Sequence, residues 1–213
     1  MSRSLDPSSP LGAPLLSAIS ETIDGYLAAQ EPLLTAIGAT ALLDVAREGT
    51  AGGKRLRPAY CYWSYVAAAG LPRDDAPLLK VASSLDLLHV SALVHDDLID
   101  AADTRRGLPA AHKRFEQLHS ARAGRGSAAE FGTSSAILLG DLLLMWSVDL
   151  VDSSGAAHLD RARPHLSAMR AEVTAGQYLD VAAQYGVTGA VTVAEELDVA
   201  QRVLEYKSAS YSI

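Results

Sequence analysis

Residues 85–107 read LDLLHVSALVHDDLIDAADTRRG. As far as Asp100, the apolar residues recur at helical spacing, so the stretch predicts a long helix with an acidic end. Asp96 and Asp100 are four positions apart and share one face, about 6 Å apart along the axis. Carboxylates so placed repel each other unless a cation lies between or beside them. Mg²⁺ is suited to that place, because it commonly takes one or two carboxylates together with phosphate oxygens. Asp97, a quarter-turn away, is placed to act as an outer ligand or to orient a metal-bound water. His89 lies two turns before Asp96 on the same face. Arg105 and Arg106 follow directly, and their planar forks match phosphate oxygens. Together these residues read as a cradle for a metal-bridged diphosphate. The alternative is a solvated salt-bridge network, with His89 an ordinary satisfied histidine.

Upstream, residues 52–58 read GGKRLRP. The two glycines free the backbone for close approach to an anion. Lys54, Arg55 and Arg57 put positive charge beside a helix start, which itself favours anions. Taken alone, the segment reads equally as a basic surface turn.

The rest of the chain extends the helical pattern. Candidate helices cover about residues 15–30, 32–48, 58–69, 74–101, 109–119, 128–152, 160–184 and 193–212. The breaks fall at residues 49–53, 70–72, 120–127 and 186–189, where glycine, proline and small polar residues gather. Pro58 fits the first turn of its helix. No internal repeat and no useful alternating strand pattern is present. The expected fold class is therefore all-α, with residues 1–14, rich in serine and proline, as a flexible arm and residues 15–213 as one helical domain.

With 213 residues, 49% of them hydrophobic and 20% charged, the chain has an ordinary globular balance. A net charge of −7 argues against nucleic acid as a partner. It is compatible with a phosphorylated substrate if a cation bridges the two. The single cysteine, Cys61, rules out an internal disulfide; it reads as a small buried hydrophobe and fits a reduced, cytoplasmic setting. The most apolar stretch, residues 136–151, is interrupted by Asp141 and Asp149 and is short of the roughly 20 residues a membrane span needs. No transmembrane segment is expected.

The succession GGKRLRP, HDDLID and DTRRG resembles the helical trans-prenyl diphosphate synthases, and DDLID matches that family's first aspartate-rich motif, DDxxD. Gly140-Asp141, Gly176-Gln177-x-x-Asp180 and Lys207-Ser208 are similar to later landmarks of the family, so the likeness covers the chain from about residue 50 onward. The resemblance implies a helical bundle of the isoprenoid synthase type and a homodimer. It implies Mg²⁺-dependent condensation of isopentenyl diphosphate with an allylic diphosphate. Lys54, Arg57, His89 and Arg106 would hold isopentenyl diphosphate. Asp96 and Asp100 would bind the metal, with Asp97 assisting. Arg105, Lys207, Ser208 and Gln177 would serve the allylic diphosphate, with Lys207 also counted among the catalytic groups. Gln177 and Asp180 read equally as a polar pair between helices, and Asp141 as a helix–helix contact. Ser91 and Ala92, one turn before Asp96, are small, and Leu88 lies a turn further on. That pattern implies a product of geranylgeranyl length or longer.

The chain departs from the family pattern in two places. Ser208 stands where a threonine is usual, and no second DDxxD occurs in the sequence. The expectation is the N-terminal portion of a synthase, with a C-terminally incomplete bundle. Two other readings remain open. One is a non-catalytic subunit or regulatory relative. The other is a class I terpene cyclase, which would leave GGKRLRP and the paired arginines unexplained.

Overall fold

Leu15, Ile19, Ile23 and Leu27, spaced four apart, form one fully buried stripe of α1 (Ala13–Ile37). Each buried side chain of this kind contributes roughly 2 kcal/mol. The computed structural model describes residues 5–212 and follows this first helix with α2 (Thr40–Thr50), α3 (Leu56–Ala69) and α4 (Ala76–Ile99). A short hairpin of β1 (Thr104–Arg105) and β2 (Leu108–Pro109) leads to α5 (Ala111–Ala121) and α6 (Ala128–Asp152). Then come α7 (Leu159–Gln184), α8 (Val193–Val203) and a π-helical segment, Leu204–Ala209. The expected all-α class holds, and the two-residue strands are its one exception among the described residues.

The chain divides into two compact units, residues 5–155 and 156–212 among those described, where the sequence suggested one domain from residue 15. In the first unit α4 is central and packs against α1, α3 and α6. Leu79, Leu87, Val90 and Val94 of α4 meet Leu139, Leu143, Trp146 and Leu150 of α6 in one hydrophobic core. The helices approach closely: the Ser91 hydroxyl donates to the Gly140 carbonyl at 2.7 Å, and the His95 ring lies against the bare Cα of Gly140. In the second unit α7 packs on α8 and on the π segment.

Several boundaries fall where the sequence placed them. Ser127 caps α6 by accepting from the Glu130 amide, and Thr192 and Glu195 form a capping box on α8. Other features differ. The break expected at residue 31 is absent, and α1 continues through Pro32 until Gly38, whose φ of 82° supplies the left-handed cap. Burial of Leu27 and Leu34 on either side holds the helix together across the proline. The helix expected over 193–212 changes to π winding at Leu204. Of the expected N-terminal arm, residues 1–4 lie outside those described. Leu5 is buried, and the Pro10 carbonyl accepts from the Trp63 indole at 2.7 Å. Helices α4 and α6 are long and apolar enough to cross a membrane, a test the sequence reading had α6 fail. Of their most apolar windows, 61% and 50% is buried within the protein, as in core helices.

Candidate active site

The acidic end of α4 and the hairpin after it build the site. Asp100 closes the helix, and Ala101 turns the chain with a φ of 51°. Arg106 and Gly107 form the two-residue tip of the hairpin, with φ of 54° and 79°. Two successive positive φ values are the signature of a type I′ turn, whose twist matches the flanking strands. The turn folds Arg105 back over the helix it follows.

Arg105 meets Asp97 there. Its Nε donates to both carboxylate oxygens at 2.8 and 3.1 Å, and its terminal nitrogen makes a further short contact. Asp97 is 3% exposed and occupies the face of α4 that carries Val90 and Val94. In the structure Asp97 lies beneath Arg105. Asp96 and Asp100 lie on the other face, with an Asp96 oxygen 3.6 Å from Arg105. No group of three or more His, Cys, Asp or Glu side chains converges as a metal site among the described residues. A hard divalent cation therefore fits Asp96 and Asp100 only when phosphate oxygens and water complete its shell.

The basic loop arrives from the opposite side. Gly52 and Gly53 take φ of 71° and 86°, and a Cβ on Gly53 would stand 3.1 Å from Nη1 of Arg106. The glycine thus admits the Arg106 guanidinium against the loop backbone. Lys54 is exposed and Arg57 half-buried. Arg55 turns inward and pairs with Asp86, itself buried. Burial raises the Asp86 carboxyl above its usual range, and the charge and hydrogen bond of Arg55 act against that.

His89 lies one turn after Asp86. Its pKa is pushed down to about 4, first by burial and then by the charges of Arg57, Arg106 and Arg105. The imidazole is therefore neutral near pH 7, within electrostatic reach of three guanidinium groups. The first unit thus gathers His89, Arg57, Arg105, Arg106 and Asp96 into one electrostatic neighbourhood whose empty form favours an anion.

Beneath the hairpin is a cavity of about 250 Å³. Its lining includes Val90, Val94 and Asp97 of α4, Leu139 and Leu143 of α6, and Arg106. It lies on the Asp97 side of α4, away from Asp96 and Asp100. Ser91, expected as part of a pocket floor, is buried and committed to the Gly140 carbonyl.

The remaining expected residues are in the second unit. Lys207 pairs with Asp180 at 2.5 Å, and both side chains are half-buried. The π winding, marked by the Ser210 amide donating to the Glu205 carbonyl at 2.8 Å, sets the backbone of Tyr206 and Lys207 directly on Gly176 of α7. Gln177 follows on α7, and Ser208 is exposed with its carbonyl accepting from the Ser212 hydroxyl at 2.6 Å. Asp141, in the first unit, lies 3.5 Å from Nε2 of His95, the helix–helix contact allowed for it. Arg55, grouped in the sequence with the anion-facing cations of its loop, is turned inward instead, and its partner Asp86 had no role assigned.

Comparison with known proteins identifies the family. The family model described as polyprenyl synthetase matches residues 39–213. A geranylfarnesyl diphosphate synthase of Natronomonas pharaonis is 28% identical over 206 residues, covering 90% of this chain and 52% of that protein. The chloroplastic geranylgeranyl pyrophosphate synthase 11 of Arabidopsis thaliana is 38% identical over 96 residues, covering 44% of this chain and 22% of that protein. A crystal structure of geranylgeranyl pyrophosphate synthase from Corynebacterium glutamicum, complexed with isoprenyl diphosphate and magnesium, superposes with a TM-score of 0.87 at 33% identity. It covers 98% of this chain and 58% of its own. The chain spans about half the length of relatives that it matches along most of its own length.

Proposed function

Because the chain belongs to the polyprenyl synthetase family, we propose that it is a prenyltransferase that binds isopentenyl diphosphate and an allylic diphosphate and joins them into a longer polyprenyl diphosphate. The observation that carries this reading is the hairpin that folds Arg105 onto Asp97, within 3.6 Å of Asp96, and brings Arg106 against Gly53 of the basic loop. Lys54, Arg57, His89 and Arg106 hold the diphosphate of isopentenyl diphosphate. Arg105, Lys207, Ser208 and Gln177 serve the allylic diphosphate, and Asp96 and Asp100 hold Mg²⁺ with it. Asp97 acts through Arg105, by fixing its guanidinium. The product is of geranylgeranyl length or longer.

When bound, Mg²⁺ neutralises charge on the departing diphosphate. The protein's own part is positional and electrostatic. Arg105, whose guanidinium is fixed by Asp97, meets the charge that grows as the allylic carbon–oxygen bond breaks. The basic loop and Arg106 hold the second substrate so that its double bond attacks the electron-poor allylic carbon; the new carbon–carbon bond replaces the broken carbon–oxygen bond, and the adduct loses a proton to the released diphosphate. No side-chain nucleophile takes part.

Association as a homodimer belongs to the same reading. It is supported by Phe131, Leu138 and Met145, which repeat every seven residues along α6 and are exposed. A cytoplasmic setting is supported by the single cysteine, Cys61, which is a free thiol.

The test is incubation with Mg²⁺, an allylic primer and radiolabelled isopentenyl diphosphate, alongside calorimetry of each diphosphate. Labelled products longer than the primer are expected. Asp96→Ala should lower Mg²⁺-dependent binding of the allylic diphosphate by about tenfold or more while leaving the helical circular dichroism intact. Binding of both diphosphates without elongation would favour a non-catalytic subunit. Failure to bind either would sink the reading.

A further inference from the structure

We infer that the buried Arg55–Asp86 ion pair positions the loop of residues 52–57 for isopentenyl diphosphate, so that Arg55 is a positioning residue and its neighbours Lys54 and Arg57 are the ligands. The inference rests on the assignment of that diphosphate to Lys54, Arg57, His89 and Arg106.

The three cations of the loop are alike in sequence and unlike in the fold. Lys54 is exposed and Arg57 is half-buried, within electrostatic reach of His89. The Arg55 side chain is 5% exposed, and its partner carboxylate 9%. Besides Asp86 of α4, its guanidinium donates to the carbonyl of Thr50, the last residue of α2, at 2.6 Å. A longer contact, 3.5 Å, reaches the hydroxyl of Ser20 on α1. One side chain thus ties the loop to three helices. With its hydrogen bonds committed inside the protein, Arg55 is not available to a ligand.

The backbone agrees. Arg55 has a φ of 51°, the left-handed region that a non-glycine residue occupies only where its surroundings over-determine it. The inward side chain supplies that restraint, and the loop leaves Arg55 directly into α3. Asp86 has a second part to play. It stands one turn before His89, and the charges of Arg57 and Arg106 also act on it. The same carboxylate therefore serves as counter-charge beneath the arginines before any diphosphate arrives. Losing it would leave the Arg55 guanidinium buried without a counter-charge, a condition that a side chain relieves by moving its backbone toward solvent.

The experiment is calorimetry on the whole chain, with isopentenyl diphosphate and, separately, with an allylic diphosphate plus Mg²⁺. Wild type is compared with Asp86→Asn, well below the unfolding midpoint of each. Asp86→Asn keeps the shape and loses the charge. It is expected to weaken isopentenyl diphosphate by about tenfold while changing the allylic diphosphate by less than about twofold. If Asp86→Asn does not fold, the double variant Arg55→Met/Asp86→Leu removes both charges together and is expected to give the same ligand-selective loss. A purely structural pair would lower the melting temperature and leave the ratio of the two affinities unchanged; that result overturns the inference. If wild type itself fails to bind isopentenyl diphosphate, the ligand assignment falls and takes this inference with it. If wild type binds and the variants bind equally well, only the inference falls.

Discussion

Gly176→Ala is expected to displace Lys207 and to weaken binding of an allylic diphosphate by roughly tenfold or more. A Cβ at residue 176 would stand 2.6 Å from the Tyr206 carbonyl carbon and 2.9 Å from the Lys207 Cα, and closer still to the Lys207 amide nitrogen. These are backbone atoms, so no side-chain rotation relieves the clash. The π segment has to lift from α7, and the 2.5 Å pair of Lys207 with Asp180 opens with it. Overpacking of this kind costs about 1–3 kcal/mol. Calorimetry with an allylic diphosphate and Mg²⁺ measures the effect, and circular dichroism checks that the helices persist. An unchanged affinity in a folded variant would remove Lys207 from the allylic site.

Acid is expected to destabilise the protein through His89. The folded pKa is about 4, against roughly 6.5 for an unfolded histidine. Between those values the unfolded chain binds the proton and the folded one does not. Stability from the neutral ring is therefore fully present above pH 6.5 and falls as the pH drops. The loss approaches about 3 kcal/mol near pH 4 and levels off below it. Urea titrations from pH 7 to pH 4 should show this slope, and His89→Gln should remove it. A slope equal to that of wild type in His89→Gln would place the acid sensitivity elsewhere. Ligand binding has the opposite consequence for the ring. A diphosphate among Arg57, Arg105 and Arg106 offsets their charge and raises the His89 pKa, so binding near pH 5 should take up protons.

Helix α6 was legible from end to end because Ser127, the serine-glycine run before it and the lack of interior proline mark it locally. The end of α1 was not, because Pro32 looks like a stop and only the burial of Leu34 shows that it is none. The fate of Arg55 was closed to sequence reading for a similar reason. Its partner Asp86 is 31 positions away, and nothing local separates Arg55 from Lys54 or Arg57. Asp97 was more accessible than it was taken to be. It stands three positions after Val94 and seven after Val90, so helical geometry puts it on the buried face. The hairpin has strands of two residues, too short for any alternation to show, and Arg106-Gly107 was its one signal.

The Trp63 indole bonded to the Pro10 carbonyl and the Trp146 ring set edge-on to Tyr26 carry an optical consequence. They are the two tryptophans of the sequence, and both belong to the first unit. Fluorescence excited at the indole band therefore reports that unit alone, while tyrosine emission and far-ultraviolet ellipticity also register α7, α8 and the π segment. Gly176→Ala should thus shift the ellipticity melt and leave the indole melt in place if the two units unfold separately. If both signals move together, unfolding is a single cooperative event.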